Sequence, residues 1–259
     1  MVFPSVSVVI PALNEERNIP HVFERIPADI HQVVLVDGHS VDETVAVARR
    51  LRPDVTVVYQ TRKGKGNALA CGFEAATGDV IAMVDADGSA DPGEIPSFVK
   101  ALVDGADFAK GTRFLPGGGS TDITRLRAHG NYLLTSFFNL AYHQKYSDLC
   151  YGYNAFWARH LPKLELDCDG FEVETMMNVR AARAGLRIQE IPSHEHSRLH
   201  GMSNLHVARD GWRIMKVIIK ERVIGRGGRQ VPLTTEAAWD MPAMALAGGH
   251  ILDKPAGDA

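Results

Sequence analysis

Two aspartates, Asp85 and Asp87, directly follow a short apolar run at residues 80–84. A continuous apolar run of this length predicts a strand that is buried on both faces. Two unit charges about 4 Å apart repel by about 4 kcal/mol at an effective dielectric constant of about 20, so we expect a positive group beside this pair. Carboxylates at a strand end suit Mg²⁺ or Mn²⁺ carrying the phosphates of a substrate. The alternative is a polar strand exit, because Asp followed by Gly88 is also ordinary turn chemistry.

The elements that would position these aspartates alternate along the first half of the chain. A capping box from Ser40 to Glu43 opens a predicted helix, and Asp91 caps another that ends near residue 104. Strands are predicted at residues 5–10, 33–36, 55–59, 80–84 and 108–110, and helices at 40–51 and 67–76. Such alternation indicates βαβ units and a mostly parallel sheet of the α/β class, flanked by helices. Ligands bind at the carboxyl ends of the strands in such sheets, where the polar clusters of this chain lie.

The second half of the chain is less regular. We expect a flexible loop at residues 115–122 and a helix at 125–142 that is apolar around much of its circumference, so that it is buried or meets an apolar partner. Further strands are predicted at residues 151–157 and 186–191, and further helices at 173–184 and 204–223. The last helix carries a basic stripe beside its apolar face, which fits either an anionic membrane surface or packing on the domain. Residues 225–259 lack periodicity and are predicted to be a largely disordered tail.

Composition places the chain among soluble globular proteins. It has 259 residues, 45% of them hydrophobic, and a formal net charge of −3, which argues against binding nucleic acid through bulk positive charge. Its three cysteines fit neither a disulfide framework nor a zinc pattern, so a reducing compartment is expected. The sequence shows neither a signal-peptide pattern nor an apolar run of about 18 to 20 residues. We therefore expect a cytoplasmic protein whose membrane contact, if it has one, is peripheral at the inner face of the membrane.

Eight short motifs resemble, in the same order, those of the family 2 glycosyltransferases with the GT-A fold. The similarity is greatest to the soluble domains of dolichol- or polyprenyl-phosphate mannosyltransferases and glucosyltransferases, and it covers roughly residues 5–215. The motifs lie at residues 9–16, 36–44, 63–69, 85–87, 111–114, 148–156, 170–174 and 198–203. The resemblance implies one GT-A domain over residues 1–224, with a Rossmann-like nucleotide-sugar half at about 1–112 and an acceptor half at about 113–224.

The resemblance also implies a site for a nucleotide sugar, GDP-mannose or UDP-glucose, and for a divalent metal ion, Mg²⁺ or Mn²⁺. It implies that Asp87 is the direct metal ligand, that Asp85 contacts the ribose or the metal, and that Asp37 hydrogen-bonds the base. A loop that closes over the diphosphate would contribute Arg198 and Ser203. The residues implied to bind the nucleotide sugar are Pro11, Ala12, Asn14, Glu16, Asp37, Lys65, Asp85, Ala86 and Ser203.

Catalytic and acceptor-binding roles are implied for a second group of residues. The implied catalytic residues are Asp87, Arg113, Glu172 and Arg198. Arg113 matches an arginine that faces the donor or acceptor phosphate. Glu172 matches an acid near the acceptor, and its role is either a base or acceptor contact, or a structural acid at a helix start. Arg125 and Arg127 begin the apolar helix, where they either bind an acceptor phosphate or are ordinary surface charge.

These expectations define a leading function and two alternatives. The leading one is a metal-dependent, inverting transfer of mannose or glucose from GDP or UDP to a polyprenyl phosphate, whose anionic oxygen needs no strong base. The first alternative transfers the sugar to a soluble hydroxyl acceptor such as a small metabolite. The second is a nucleotide-binding scaffold without transfer activity. Two departures from the family pattern, Gly38 in place of a second acid and Asn204 in place of a lysine, leave the base contact and the neutralisation of the diphosphate open.

Overall fold

The computed structural model describes residues 3–201 and 207–224 of the chain. The strands are β1 (Val6–Ala12), β2 (Gln32–Asp37), β3 (Thr56–Tyr59), β4 (Val80–Met83), β5 (Phe108–Thr112), β6 (Gly119–Ser120), β7 (Asn154–Trp157), β8 (Ile188–Pro192) and β9 (His194–Glu195). Within the described residues, seven of them form one sheet in the order β3-β2-β1-β4-β7-β5-β8. All neighbours in this sheet are parallel except β7, which runs antiparallel to β4 and β5. The expected α/β class with a mostly parallel sheet is confirmed.

Helices cover both faces of the sheet. They are α1 (Ile19–Glu24), α2 (Thr44–Leu51), α3 (Lys65–Ala75), α4 (Ile95–Val103), α5 (Arg125–Tyr142), α6 (Leu161–Leu164), α7 (Val173–Arg183) and α8 (Val207–Ile224). Successive side chains of a strand point to opposite faces, and β1 shows why both faces need cover. Its Val8 and Ile10 pack with residues of α1, α2 and α4, whereas Val9 packs with residues of α3 and α7. This strand, which is apolar on both faces, lies in the interior of the sheet between β2 and β4.

A third apolar cluster joins α5, α7 and α8. Its buried members are Phe138, Tyr146, Leu149, Val179 and Ile218. The hydroxyl of Tyr142, at the end of α5, donates a hydrogen bond to the carbonyl oxygen of Ile218 in α8 over 2.7 Å. Among the described helices, none combines the length and the apolar character needed to cross a membrane.

Three local expectations from the sequence differ in detail from the structure. The capping box does not form: α2 begins only at Thr44, because the Ser40 hydroxyl accepts a hydrogen bond from the backbone nitrogen of Asn14 over 2.9 Å instead of capping the helix. The loop at residues 115–122 contains β6, which pairs with β9. The strand expected at 151–157 is paired only from Asn154, because the residues before it line a cleft. The predicted tail at 225–259 lies outside the described residues.

Candidate active site

A cleft of about 840 Å³ opens at the carboxyl ends of β1, β2 and β4. Its volume lies within the range of about 300 to 1,000 Å³ that is usual for small-molecule sites. The predicted site residues that line it are Pro11, Ala12, Lys65, Asp85, Ala86, Asp87, Arg113, Arg127, Glu172 and Arg198. They come from both predicted halves of the chain, so the fold brings donor-side and acceptor-side candidates to one place. Ser203 lies outside the described residues.

The carboxylate of Asp87 is held by two hydrogen bonds in the cleft. It accepts hydrogen bonds from the backbone nitrogen of Ser89 over 3.0 Å and from Arg198 Nη2 over 2.9 Å. Burial alone would raise the pKa of Asp87, but the hydrogen bonds from Ser89 and the positive charges of Arg198 and Lys65 outweigh it and lower the pKa below its usual value. Asp87 is therefore ionised at neutral pH.

Lys65, the first residue of α3, bridges Asp85 to a second acid, Glu174. Its Nζ lies 2.6 Å from Asp85 Oδ1 and 2.5 Å from Glu174 Oε1. Burial would lower the pKa of the Lys65 ammonium, but the two carboxylates raise it well above its usual value. Burial also raises the pKa of Glu174, and Lys65 opposes that rise. The positive group expected beside the two aspartates is thus divided: Lys65 neutralises Asp85, and Arg198 neutralises Asp87.

Two glycines allow the start of α3 to reach this position. The backbone nitrogen of Gly66 donates to the carbonyl oxygen of Asp169 over 2.9 Å. A Cβ atom at Gly66 would lie 2.3 Å from the carbonyl oxygen of Cys168, and one at Gly64, whose φ is +109°, would lie 2.0 Å from that of Asp169. Only glycine permits this approach of two backbones. The contact holds Lys65 between the acids of the two halves.

The loop after β1 presents Glu15 to the cleft in place of the expected Asn14 and Glu16. Asn14 Oδ1 accepts from the backbone nitrogen of Val41, and Glu16 Oε2 accepts from that of Glu43, each over 2.9 Å, so both side chains fix the loop to the residues before α2. Glu15 lines the cleft, 3.4 Å from Arg198 Nη1. Burial raises the pKa of Glu15, although a hydrogen bond from Asn18 and the charge of Arg198 oppose the rise. Sequence reasoning missed Glu15, because three consecutive polar residues do not show which one faces a ligand.

The guanidinium of Arg113 is held by two carboxylates. Nε and Nη2 donate to the two carboxylate oxygens of Asp148 over 2.7 and 3.0 Å, and Nη1 donates to Glu195 Oε2 over 3.0 Å. The side chain is only 4% exposed. Burial would lower the pKa of Arg113, but the two carboxylates raise it, so the group stays charged. Its contact with a phosphate stays a prediction, and its observed role is to join the end of β5 to β9.

Two predicted acids keep a buried carboxylate oxygen without a hydrogen-bond partner among the described residues: Asp37 Oδ1 and Glu172 Oε2. The other oxygen of Asp37 accepts from the backbone nitrogen of Ser40 over 3.1 Å. Glu172 lines the cleft, while Asp37 lies at the end of β2 beside Gly38, which does so. Buried acceptors are normally satisfied, so each of these oxygens is suited to a donor on a ligand.

Only one of the two arginines predicted to bind the acceptor lines the cleft. Arg127 lines the cleft and pairs with Asp122 over 2.7 Å, whereas Arg125 is exposed at the start of α5 and does not line it. Two arginines of α8 that the sequence did not single out for the site, Arg209 and Arg213, also line the cleft. Each has a guanidinium nitrogen 3.4 Å from Asp210 Oδ1. The basic stripe of the last helix was the only sign of these arginines in the sequence. Whether the stripe faces the cleft or solvent depends on how α8 packs on the rest of the chain.

A mostly parallel sheet with an Asp-x-Asp pair in a cleft at its carboxyl edge is the architecture of a GT-A glycosyltransferase. The family model described as Glycosyl transferase family 2 matches residues 7–165. The chain belongs to glycosyltransferase family 2.

The chain is also similar in sequence to individual glycosyltransferases. The chain is 34% identical to the low-salt glycan biosynthesis hexosyltransferase Agl6 of Haloferax volcanii, over 83% of this chain and 53% of that protein. It is 30% identical to the polyprenol monophosphomannose synthase of Mycolicibacterium smegmatis, over 86% of this chain and 87% of that one. The chain thus spans about half the length of Agl6, although it covers most of the synthase.

A solved structure shares the fold. The glucosyl-3-phosphoglycerate synthase of Mycobacterium tuberculosis, crystallised with Mn²⁺, UDP and glucosyl-3-phosphoglycerate, aligns with a TM-score of 0.67 at 21% identity, over 85% of this chain and 80% of that one. The expected GT-A fold is therefore confirmed.

Proposed function

We propose that this protein is a metal-dependent, inverting glycosyltransferase that moves mannose or glucose from a GDP- or UDP-linked donor to a polyprenyl phosphate. The observation that carries the proposal is the carboxylate of Asp87, which lies in the cleft and accepts a hydrogen bond from the guanidinium of Arg198. A nucleotide sugar needs positive charge where its diphosphate leaves, and this pair of side chains is suited to organise it. The polyprenol monophosphomannose synthase among the relatives supports the lipid acceptor.

Asp87 and Asp85 fit a Mg²⁺ or Mn²⁺ ion that arrives with the nucleotide. In phosphate sites Mg²⁺ is held by one or two carboxylates and by the substrate's phosphates. The part of the chain that the structure describes contains no group of three or more His, Cys, Asp or Glu side chains that could hold an ion. When bound, the ion would offset the negative charge that develops on the diphosphate. The Mn²⁺ and UDP bound to the related-fold synthase support this reading.

On the donor side, each residue has a proposed task. Arg198 contributes a second positive charge to the leaving diphosphate, and Glu15 and Asp87 orient its guanidinium. The buried oxygen of Asp37 accepts a hydrogen bond from the base. Arg113 fixes the opposite wall of the cleft through Asp148. These groups are in place before the sugar is displaced, so little reorganisation is needed during the reaction.

On the acceptor side, the cleft is lined by Arg127, Arg209 and Arg213. A polyprenyl phosphate brings an anionic nucleophile, so these arginines would hold its phosphate and no strong base is required. The long chain of such an acceptor remains in a bilayer. The proposal therefore includes a cytoplasmic protein in peripheral contact with the inner face of a membrane.

A second candidate function is transfer to a hydroxyl group of a soluble metabolite, and Glu172 favours it. Glu172 lines the cleft, and its Oε2 is buried without a hydrogen-bond partner among the described residues. This carboxylate would serve as the general base that a hydroxyl acceptor needs. Glu172→Gln separates the two functions. For a hydroxyl acceptor we expect kcat to fall by about 10² to 10⁴-fold, and for a phosphate acceptor we expect a change below about tenfold.

The direct test is transfer of a radiolabelled sugar. The protein is incubated with labelled GDP-mannose or UDP-glucose, Mn²⁺ and a short-chain polyprenyl phosphate, and the mixture is extracted with organic solvent. We expect label in the organic phase, loss of it on chelation of the metal, and a product anomer opposite to that of the donor. Label that stays in a water-soluble glycoside supports the second candidate. A nucleotide sugar that binds but is transferred to neither acceptor overturns the enzymatic proposal.

A further inference from the structure

Helices α5 and α8 pack against each other. Tyr142, at the end of α5, donates to the carbonyl oxygen of Ile218 in α8, and the guanidinium carbon of Arg222 lies 5.9 Å from the centre of the Tyr142 ring. Arg127 of α5 and Arg213 of α8 both line the cleft. Both helices therefore border the cleft.

Each of the two helices exposes an apolar stripe. On α5, Leu126, Leu133, Phe137 and Leu140 are exposed and recur at helical spacing on one side. On α8, Trp212, Ile219 and Val223 do the same. Leu140 is 77% exposed, and Trp212 is 61% exposed. We call these seven side chains the α5–α8 face. A patch of large apolar side chains of this kind marks an interaction surface.

The charges around the α5–α8 face have one sign. Helix α5 contains no Asp or Glu. The two acids of α8, Asp210 and Glu221, are 2% and 4% exposed. Asp210 faces the arginines of its own helix, and Glu221 accepts from Arg180 of α7. The exposed charged side chains of the two helices are Arg125, Arg209, Arg213, Lys216 and Lys220.

Exposed apolar side chains bordered by basic side chains fit one kind of partner. We infer that the α5–α8 face docks on a bilayer surface that contains anionic lipids, with its apolar side chains at the level of the acyl chains and its basic side chains at the headgroups. Lys216 Nζ lies 5.5 Å from the centre of the Trp212 ring, so a basic and an apolar side chain of the surface are in direct contact. A nucleic acid would not use the apolar stripes. A symmetric dimer through this face would bring the two basic rims together, which is unfavourable.

Docking in this way would place the mouth of the cleft, with Arg127, Arg209 and Arg213, at the level of the lipid phosphates. The inference rests on the proposed function only for the reason why a membrane matters. The surface itself is independent of donor and acceptor, so it can be tested without either. Failure of vesicle binding would remove the docking surface, whereas failure of nucleotide-sugar binding in the absence of vesicles would remove the proposed function.

The test is flotation of the full chain with vesicles of phosphatidylcholine, alone or mixed with phosphatidylglycerol. We expect binding only to the mixed vesicles, weakened by salt. Lys216→Glu with Lys220→Glu should lower the partition coefficient by more than about tenfold, and Leu133→Gln with Leu140→Gln should lower it similarly. The matched controls lie on α2, which is remote in sequence from both helices: Arg49→Glu with Arg50→Glu for charge, and Leu51→Gln for apolar exposure. The controls should bind like the unchanged protein.

A second measurement needs no disruptive variant. Tryptophan emission of the unchanged protein should be quenched by brominated lipids, and Trp212→Phe should remove most of that quenching. The inference is overturned if the protein ignores the mixed vesicles, or if the face variants bind as well as the controls. It is also overturned if sedimentation shows a dimer that Leu133→Gln with Leu140→Gln dissociates, because a second copy would then cover the face.

Discussion

Arg198 Nη2 donates to Asp87 Oδ2 over 2.9 Å, although the two residues are 111 positions apart in the sequence. The same guanidinium lies 3.4 Å from Glu15 Oε1. The segment that carries Arg198 is thus anchored on acids from two strand ends of the sheet. Arginine and a divalent cation both favour the charged form of Asp87, so this carboxylate is the point at which the loop, the metal and the diphosphate would meet.

Asp87→Asn tests this point. An amide cannot supply the negative charge that a divalent cation and Arg198 both use, so we expect kcat/KM for sugar transfer to fall by at least about 100-fold, which is about 2.7 kcal/mol. The increase in melting temperature that a nucleoside diphosphate causes with Mn²⁺ should be lost as well. Asp104→Asn, at an exposed acid paired with Lys100, is the control and should change neither quantity. Unchanged metal-dependent binding in Asp87→Asn would remove the metal assignment.

Lys65→Met tests the bridge between the two halves of the cleft. The substitution keeps the length of the side chain but leaves the carboxylates of Asp85 and Glu174 without their common partner. Removing one member of a buried ion pair costs about 3 to 5 kcal/mol, so we expect the free energy of unfolding to fall by that order in a urea titration. Lys63→Met, two residues earlier in the exposed loop, should stay within about 0.5 kcal/mol. Equal effects of the two variants would contradict the bridge.

Gly66→Ala tests the close approach that positions Lys65. Its new methyl group would meet the carbonyl oxygen of Cys168, so one of the two backbones must move, at a cost of about 1 to 3 kcal/mol. Gly130→Ala in α5 is the matched control, because nothing lies within 4 Å of its added Cβ. There we expect a gain of up to about 1 kcal/mol from helix propensity. Thermal unfolding of both variants measures the contrast, and a stabilised Gly66→Ala would show that the start of α3 does not touch the backbone of Cys168.

Asp107→Asn tests a pH dependence at the start of β5. Partial burial alone would raise the pKa of Asp107, but hydrogen bonds from Arg187 and His160 lower it to about 2. A depressed carboxyl pKa stabilises the fold above the pKa of the unfolded chain, about 4, and this contribution is lost as the pH falls through about 2. We expect Asp107→Asn to lose about 1 kcal/mol at pH 7, after allowance for screening by solvent, and to differ little at pH 2. A constant difference at both pH values would contradict the assignment.

Much of the fold could be predicted from the sequence, because buried parallel strands are continuous apolar runs. The prediction of α5 at residues 125–142 agrees with the structure at both ends. The orientation of β7 could not be predicted, since a strand's residues do not specify the direction of its neighbours. The predicted capping box is absent for a related reason. The Ser40 hydroxyl accepts a hydrogen bond from the backbone nitrogen of Asn14, in the loop after β1, and does not cap α2.

The sequence could predict which strand ends carry the site residues, but it could not predict which side chains contact one another there. Asp85 and Asp87 could be located because strands end there, and Lys65 could be placed near them from the motif. That Lys65 also holds Glu174, and that Glu15 replaces both of its neighbours in the cleft, depend on backbone approaches that only the folded chain reveals. The same holds for Arg209 and Arg213, which reach the cleft only because α8 packs on α5 and α7.

The position of β7 has a consequence for how the protein can be divided. This strand belongs to the proposed acceptor half, yet it is inserted between β4 and β5 of the nucleotide-sugar half. A fragment that stops near residue 112 would expose the unpaired backbone groups of β4 as a template for intermolecular association. Exchange of acceptor halves between relatives would therefore have to include this interior strand. The boundary between the two proposed halves runs through the sheet itself.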